Sequence, residues 1–250
     1  MDPQQRALLN AEFDRVAPTF AERTRGRFDH MDVVAFSRVG PGAVIAEVGS
    51  GTGNFLSLFA PVADRLIGID LTEGMLREAQ RAFPGLLLLL ADGGRLPLKS
   101  RSIDLVATAQ TLHHVPEPVP ILKEMRRVCT EDGHVLVIDQ VATESFEQAA
   151  FMNQLEAIRD PTHAVSRPPS AMRILITSTG MEIVEERIVE DQQRMSRWMG
   201  HGEFPEERFA QVTDFIEKFG HETGMDFVER DGEWTFTRRR FMALARRDPA

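Results

Sequence analysis

One stretch constrains this chain more than any other: "IAEVGSGTGNF", Ile45 to Phe55, where three glycines alternate directly after an apolar, β-rich run. Glycine gives up side-chain packing and adds backbone entropy to be lost on folding. Three together therefore mark a tight turn or a backbone that something else must approach. "NFLSLFA" follows, with Phe55, Leu58 and Phe59 at helical spacing before Pro61, and predicts a helix. A strand, a glycine turn and a helix place free backbone N–H groups beyond the strand's carboxyl end, where doubly wound sheets bind nucleotides.

The chain downstream repeats the alternation. "RLIGID" reads as a buried strand, and "TEGMLREAQRAF" as a helix with Thr72 as N-cap and Met75, Leu76, Ala79 and Phe83 along one side. "LLLLLAD" is a third strand, "SIDLVATAQT" a fourth, "VPILKEMRRV" a helix and "GHVLVIDQV" a fifth strand. Strands joined through helices imply a parallel sheet covered on both faces. "TESFEQAAFMNQLEAI" is then a helix, "RDPTHAVSRPPS" a proline-rich connection, and 170–179 a further helix before the strand "MEIVEERIVE". The segment 194–224 holds "RMSRWMG" and a helical "EERFAQVTDFIEKFG". An Asp-Gly pair signals a hairpin before a last, antiparallel strand, "WTFTRRRFMALA". The expected fold is α/β, a Rossmann-like doubly wound seven-stranded sheet, mostly parallel with an antiparallel last strand. It forms a single domain over 1–250, with a helical lid at 1–40, a cofactor-binding core at 41–142 and substrate-capping segments at 143–181 and 194–224.

Composition narrows the partners. The polar start "MDPQQR" and a longest aliphatic run of Leu86 to Leu90 predict a soluble, cytoplasmic protein with no membrane partner. Cys129 is the only cysteine, so no intrachain disulfide or multi-thiolate metal site can form, and its amphipathic helical setting predicts a buried, inert thiol. The net charge of −9 argues against nucleic acid, and "RRR" at Arg238 to Arg240 reads as a solvated strand end. No metal is expected: Asp139 has no evident partner, and adjacent His113 and His114 cannot easily chelate one ion.

The ligand is a nucleoside type. Asp70 ends the second strand, 21 positions after Gly49, where a carboxylate can accept both ribose hydroxyl hydrogens. A dinucleotide fingerprint would need G-x-G-x-x-G, but its third glycine position is Asn54 or Leu56 here. Glu47 adds a negative charge that would repel a pyrophosphate and could help hold an ammonium group.

"EVGSGTGNF", "GIDLTEGMLREAQ", "LADGGRLPLKSRSIDLV", "ATAQTLHHVPEP" and "MRRVCTEDGHVLVID" together resemble a class I S-adenosylmethionine-dependent methyltransferase, of the group that includes ubiquinone and menaquinone biosynthesis methyltransferases. "FDRVAPTF" is similar to that group's N-terminus, with Phe20 where an aromatic, often tyrosine, is usual. The resemblance implies S-adenosyl-L-methionine as cofactor. The turn of Gly49, Ser50, Gly51, Thr52 and Asn54 would lie against its methionine part, with Glu47 beneath. Asp70 would bind the ribose, Leu71 and Met75 would flank the adenine, and Asp92 beside Gly93 would accept from its amine. Ala109 and Gln110 would border the methionine tail.

The candidate bases are His163, on the irregular segment, and His114, with the His113–His114 pair read as lining the site. Arg159 and Asp160 could orient a substrate or pair with each other. The substrate pocket should draw on Phe20 and Phe28 near the N-terminus, on Phe146, Phe151 and Met152, and on Met195, Trp198, Met199 and Phe204 from the late insertion. Methionine and aromatics suit an adaptable apolar pocket. The expected activity is methyl transfer to a small aromatic or lipophilic acceptor. A non-methylating reaction with the same cofactor, such as cyclisation, and an NAD-linked oxidation are the alternatives.

Overall fold

The computed structural model describes residues 3–200 and 204–248. Residues 1–2, 201–203 and 249–250, which belong to the expected lid, the second capping segment and the chain's end, lie outside the described residues. Helix α1 (Pro3–Thr24) and a single turn α2 (Val33–Phe36) come first. The alternating part comes next: β1 (Ala43–Val48), β2 (Ala63–Asp70), α3 (Glu73–Ala82), β3 (Leu87–Leu90), β4 (Ile103–Ala109), α4 (Val119–Val128) and β5 (Cys129–Gln140). Then come α5 (Phe146–Arg159), α6 (Pro169–Thr177), β6 (Met181–Arg194), α7 (Met195–Met199), α8 (Glu206–Phe219), β7 (Val228–Arg230) and β8 (Glu233–Arg247).

The sheet runs β3-β2-β1-β4-β5-β8-β6, with β7 paired to β8 off that path. Strands β1 to β5 pair in parallel, and β8 lies antiparallel between β5 and β6. This is the Rossmann-like, mostly parallel sheet with an antiparallel last strand that the alternation predicts. The short β7 adds an eighth strand. Its turn has positive φ at Asp231 and Gly232, 53° and 74°, as a two-residue hairpin loop requires.

Period-two burial explains the layers. In β1, Ile45 packs with Leu105, Leu136 and Leu244 on one sheet face, against Phe36, Leu56 and Phe59. Its neighbour Ala46 packs with Val106, Val137 and Phe241 on the other, against Leu122 and Met125 of α4 and Ile176 of α6. Cys129 is buried at the α4–β5 junction, where desolvation pushes its thiol up to about 12, so it serves packing. Among the described residues no helix is long and apolar enough to cross a membrane.

Two local expectations are corrected. The glycine turn leads into a 3₁₀ turn at Leu56–Phe59 rather than an α-helix. Phe55, Leu56 and Phe59 are all buried there, and Pro61, which has no N–H, stops the turn from extending. No helix N-terminus faces the crevice at this point. At α3, Thr72 holds the N-cap position but its side chain makes no capping bond. The cap comes from α1 instead, where Asp14 Oδ1 accepts the Gly74 N–H at 2.9 Å. A carboxylate there also complements the helix dipole.

That bond is one of four that fasten α1 over the carboxyl ends of the strands. Gln5 Nε2 donates to the His114 carbonyl at 3.1 Å. Asn54 Nδ2 donates to the Ala21 carbonyl at 2.6 Å and to Thr24 Oγ1 at 2.7 Å. Replacing Asn54→Ala removes both of the latter. Hydrogen exchange should quicken across 15–24 while β1 and β4 stay protected, with a global loss of about 1–3 kcal/mol by denaturant titration. Unchanged exchange in α1 would show that Asn54 is not its anchor.

Candidate active site

The strand order reverses between β1 and β4, and the crevice beyond their carboxyl ends opens into a cavity roofed by α1. Every residue that the sequence assigns to a cofactor lines it: Glu47, the turn from Gly49 to Asn54 except Gly53, Asp70, Leu71, Met75, Asp92, Gly93, Ala109 and Gln110. Leu9, Phe13 and Phe20 of α1 supply an apolar roof, with Phe28 beside them.

The three glycines answer different needs. All have positive φ, 75° at Gly49, 50° at Gly51 and 80° at Gly53. A Cβ on Gly49 would lie 2.3 Å from Thr111 Oγ1, and one on Gly53 would lie 2.8 Å from Leu86 Cδ1. These two are close-packing positions. At Gly51 the nearest atom is a Phe20 ring carbon at 4.0 Å, so this residue alone leaves bare backbone toward the cavity.

Asp70 secures the turn: its Oδ2 accepts the Gly51 N–H at 2.8 Å and its Oδ1 the Thr72 N–H at 2.9 Å. Burial raises its carboxyl above the ordinary range. Glu47 is only 1% exposed, and its Oε2 has no hydrogen-bond partner among the described residues. Burial first, and the Asp70 charge second, push its carboxyl well above the usual range. A buried acid with an open oxygen in a cavity wall is a receptor for a cation or a donor.

A second cavity adjoins the first, and Phe13, Phe20, Arg27, Gln110 and His114 line both. Gln110, just past β4, has φ 56°, a strained value for a residue with a side chain. His114 Nδ1 lies 2.9 Å from Thr162 Oγ1, and its ring meets Phe13 edge-on at 5.1 Å.

His113 lines the second cavity and is tied to Asp139 at the end of β5. Its Nδ1 is 2.6 Å from Asp139 Oδ1, while Oδ2 accepts its backbone N–H at 3.0 Å. Burial pushes the Asp139 carboxyl up to about 6. Burial first, and neighbouring His114 second, hold the His113 imidazole well below its ordinary value. At neutral pH the pair is an uncharged imidazole donating Nδ1–H to a carboxylate. Nε2, without a hydrogen-bond partner among the described residues, keeps its lone pair.

Comparison with known proteins agrees with this geometry. The family described as Methyltransferase domain matches residues 46–137. The uncharacterized methyltransferase YcgJ of Bacillus subtilis is 22% identical over 67% of this chain and 68% of its own length. A demethylmenaquinone methyltransferase of Renibacterium salmoninarum is 29% identical over 76% of this chain and 80% of its own. The crystal structure of YcgJ superposes with a TM-score of 0.76 at 18% identity, covering 86% of this chain and 96% of that one, a likeness of fold. Residues 46–137 thus carry the match to a methyltransferase domain, and the rest of the chain shares the fold of the solved methyltransferase structure.

Several expected site residues lie elsewhere. His163 lines neither cavity: its Nε2 is 2.8 Å from Asn153 Oδ1, which also accepts the Ser166 N–H at 2.6 Å. Phe146, on the first turn of α5, is 87% exposed. Phe151, Met152, Met195 and Met199 line neither cavity because α8 gives them a core of their own, with Val212, Phe215 and Ile216. Trp198 and Phe204 do line the second cavity.

The "RRR" run is not a solvated strand end. Arg238 and Arg240 are 8% and 1% exposed, since alternation along β8 turns both into the second cavity while Arg239 pairs outward with Glu190 and Asp226.

Sequence reading also missed the His113–Asp139 pair. Because β4 and β5 are adjacent and parallel, the residues just past the end of β4 come to lie beside the end of β5, and that adjacency was the available signal. Nitrogen-15 NMR should find His113 as the Nδ1–H neutral tautomer at pH 7 with no protonation down to pH 6. A normal imidazole titration would contradict the buried dyad.

Proposed function

We propose that the chain holds S-adenosylmethionine in the first cavity and methylates a small acceptor held in the second. The carrying observation is the shared partition of Phe13, Phe20, Gln110 and His114, which gives two ligands a common boundary. The first cavity suits the cofactor in its donors and acceptors. The open Glu47 Oε2 fits an α-ammonium group, and the bare Gly51 backbone fits the methionine part. Asp70, which lines the same cavity, is the acceptor that the ribose hydroxyls would meet. Leu71 and Met75 would flank the adenine, Asp92 would accept from its amine, and Ala109 and Gln110 would border the tail. When bound, the cofactor supplies an electrophilic methyl group on a sulfonium.

The chain's own residues then align a nucleophile and take its proton. Alignment contributes about 7–11 kcal/mol and a general base roughly 3–5 kcal/mol, so the walls matter more than the base. Phe13, Phe20 and Trp198 suit a planar acceptor, consistent with an aromatic compound. His113 Nε2 is placed to accept the acceptor's proton, and the Asp139 carboxylate stabilises the imidazolium that results. His114, in the partition, orients the acceptor.

Incubation with methyl-labelled cofactor and a panel of small aromatic acceptors tests this. A gain of one methyl with stoichiometric S-adenosylhomocysteine supports it. Cofactor binding with product formed at unchanged mass would point to cyclisation, and binding of NAD in preference to S-adenosylhomocysteine would overturn it.

His113→Ala should lower kcat by about 10² to 10⁴ with unaltered cofactor affinity. In the native enzyme kcat should fall as pH drops through about 6, because protonated Asp139 no longer holds the Nδ1–H tautomer. Glu47→Gln should weaken S-adenosylhomocysteine by about tenfold or more in calorimetric titration, the scale of one charge-assisted hydrogen bond.

A further inference from the structure

The second cavity is much more cationic than the chain around it. The protein carries a net charge of −9, yet this wall holds Arg23, Arg27, Arg159, Arg197, Arg238 and Arg240 against three acids, Glu12, Asp160 and Asp191. The acids are already engaged: Glu12 with Arg15 at 2.6 Å, Asp160 with Arg159 at 3.6 Å, and Asp191 with Arg240. Arg159 takes a second partner in Glu156 at 2.8 Å.

Among the described residues Arg238 makes no hydrogen bond or ion pair with an acid, although the Glu156 and Asp191 charges act on it from nearby. Its guanidinium reaches only the amide oxygens of Gln110, at 3.3 Å, and Gln140. Among the described residues its Nε and that of Arg240 are buried without hydrogen-bond partners, as is Gln110 Nε2. The Arg27 guanidinium has no hydrogen-bond or ion-pair partner among the described residues; it lies over the Phe20 ring at 5.9 Å.

Around Arg238 the Glu156 and Asp191 charges do not offset the cost of burial and the repulsion of Arg240 and Arg159. Burial first, then Arg240, depress Arg238 to about 10; burial first, then Arg238, hold Arg27 well below its ordinary value. Neighbouring guanidinium groups that retain unpartnered N–H atoms in one cavity wall match the planar acceptor fork of an oxyanion.

We propose that the acceptor carries an oxyanion group, a carboxylate or a phosphate, and that Arg238, with Arg159 and Arg240 beside it, clamps that group in the second cavity. This rests on the reading that the acceptor occupies this cavity. Arg27 lines both cavities and is within reach of either ligand, including a carboxylate of the cofactor. Arg159, Arg238 and Arg240 line only the second, so their charge is directed at the acceptor. An acceptor held at its acidic end would present its other end to His113 and the partition. Its body would lie along Phe20 and Trp198, whose rings carry Arg23 at 5.1 Å and Arg159 at 5.0 Å.

The test uses the full chain saturated with S-adenosylhomocysteine and titrated calorimetrically, at fixed ionic strength, with benzoate, phenyl phosphate and benzamide. At least one anion should bind one per chain, with benzamide about tenfold weaker or more, and the tighter anion identifies the group. Arg238→Gln should weaken that anion by about thirtyfold while S-adenosylhomocysteine affinity stays within about twofold, and Arg238→Lys should restore part of the loss. Retained S-adenosylhomocysteine affinity certifies the fold of each variant; if the glutamine form fails it, the lysine form is read alone and should bind the anion less tightly than the native chain. The clamp is overturned if benzamide binds as tightly as the anions, if neither anion binds, or if anion affinity survives in every folded Arg238 variant. A chain that takes the anions but not S-adenosylhomocysteine would overturn the proposed function and leave the clamp standing.

Discussion

The Asp70 carboxylate holds the site together. One oxygen takes the N–H of the glycine turn after β1 and the other takes the N–H that leads into α3, so a single side chain sets the spacing of two neighbouring strand ends. Both bonds join a charged acceptor to backbone donors in a half-buried setting, where such bonds are stronger than neutral ones. The turn needs this tether because its backbone is confined to positive φ at three places and has no helix behind it, only a short 3₁₀ turn. The cavity owes its shape to this one acid, and the acid still faces into it.

The parts of the site that lie close together in sequence were legible from the residues alone. Glu47, the alternating glycines, Asp70 and Asp92 each stand at the end of a predicted strand, and parallel strands bring their carboxyl ends to one edge, so the period of the pattern implied the cavity. The resemblance to known methyltransferases carried the remaining cofactor assignments to the same wall. Features that depend on which strands become neighbours were not legible. His113 meets Asp139 because β4 and β5 are adjacent, and Arg238 and Arg240 turn inward because β8 inserts between β5 and β6. The apolar late segment misled for another reason: hydrophobic side chains in a capping region can pack on each other as readily as on a ligand, and α8 supplied the partner for Met152, Met195 and Met199.

Charge is sorted between the two cavities in opposite senses. The first has an unpaired acid, Glu47, and the second has arginines in excess, although they share a wall only a few side chains thick. Such sorting is costly in a folded chain, since each buried group loses hydration without gaining a partner. It becomes favourable when ligands of opposite sign arrive. A cation beside Glu47 and an anion beside Arg238 would relieve separate penalties, and each would dampen the field felt by the other.

Helix α1 supplies Phe13 and Phe20 to both cavities and caps α3 through Asp14. One door therefore serves two rooms. Any swing of this helix wide enough to admit a ligand unseals both chambers together and strips the cap from the helix beneath, and its return expels water from both at once. Binding in either cavity would thereby be coupled to the position of this one helix.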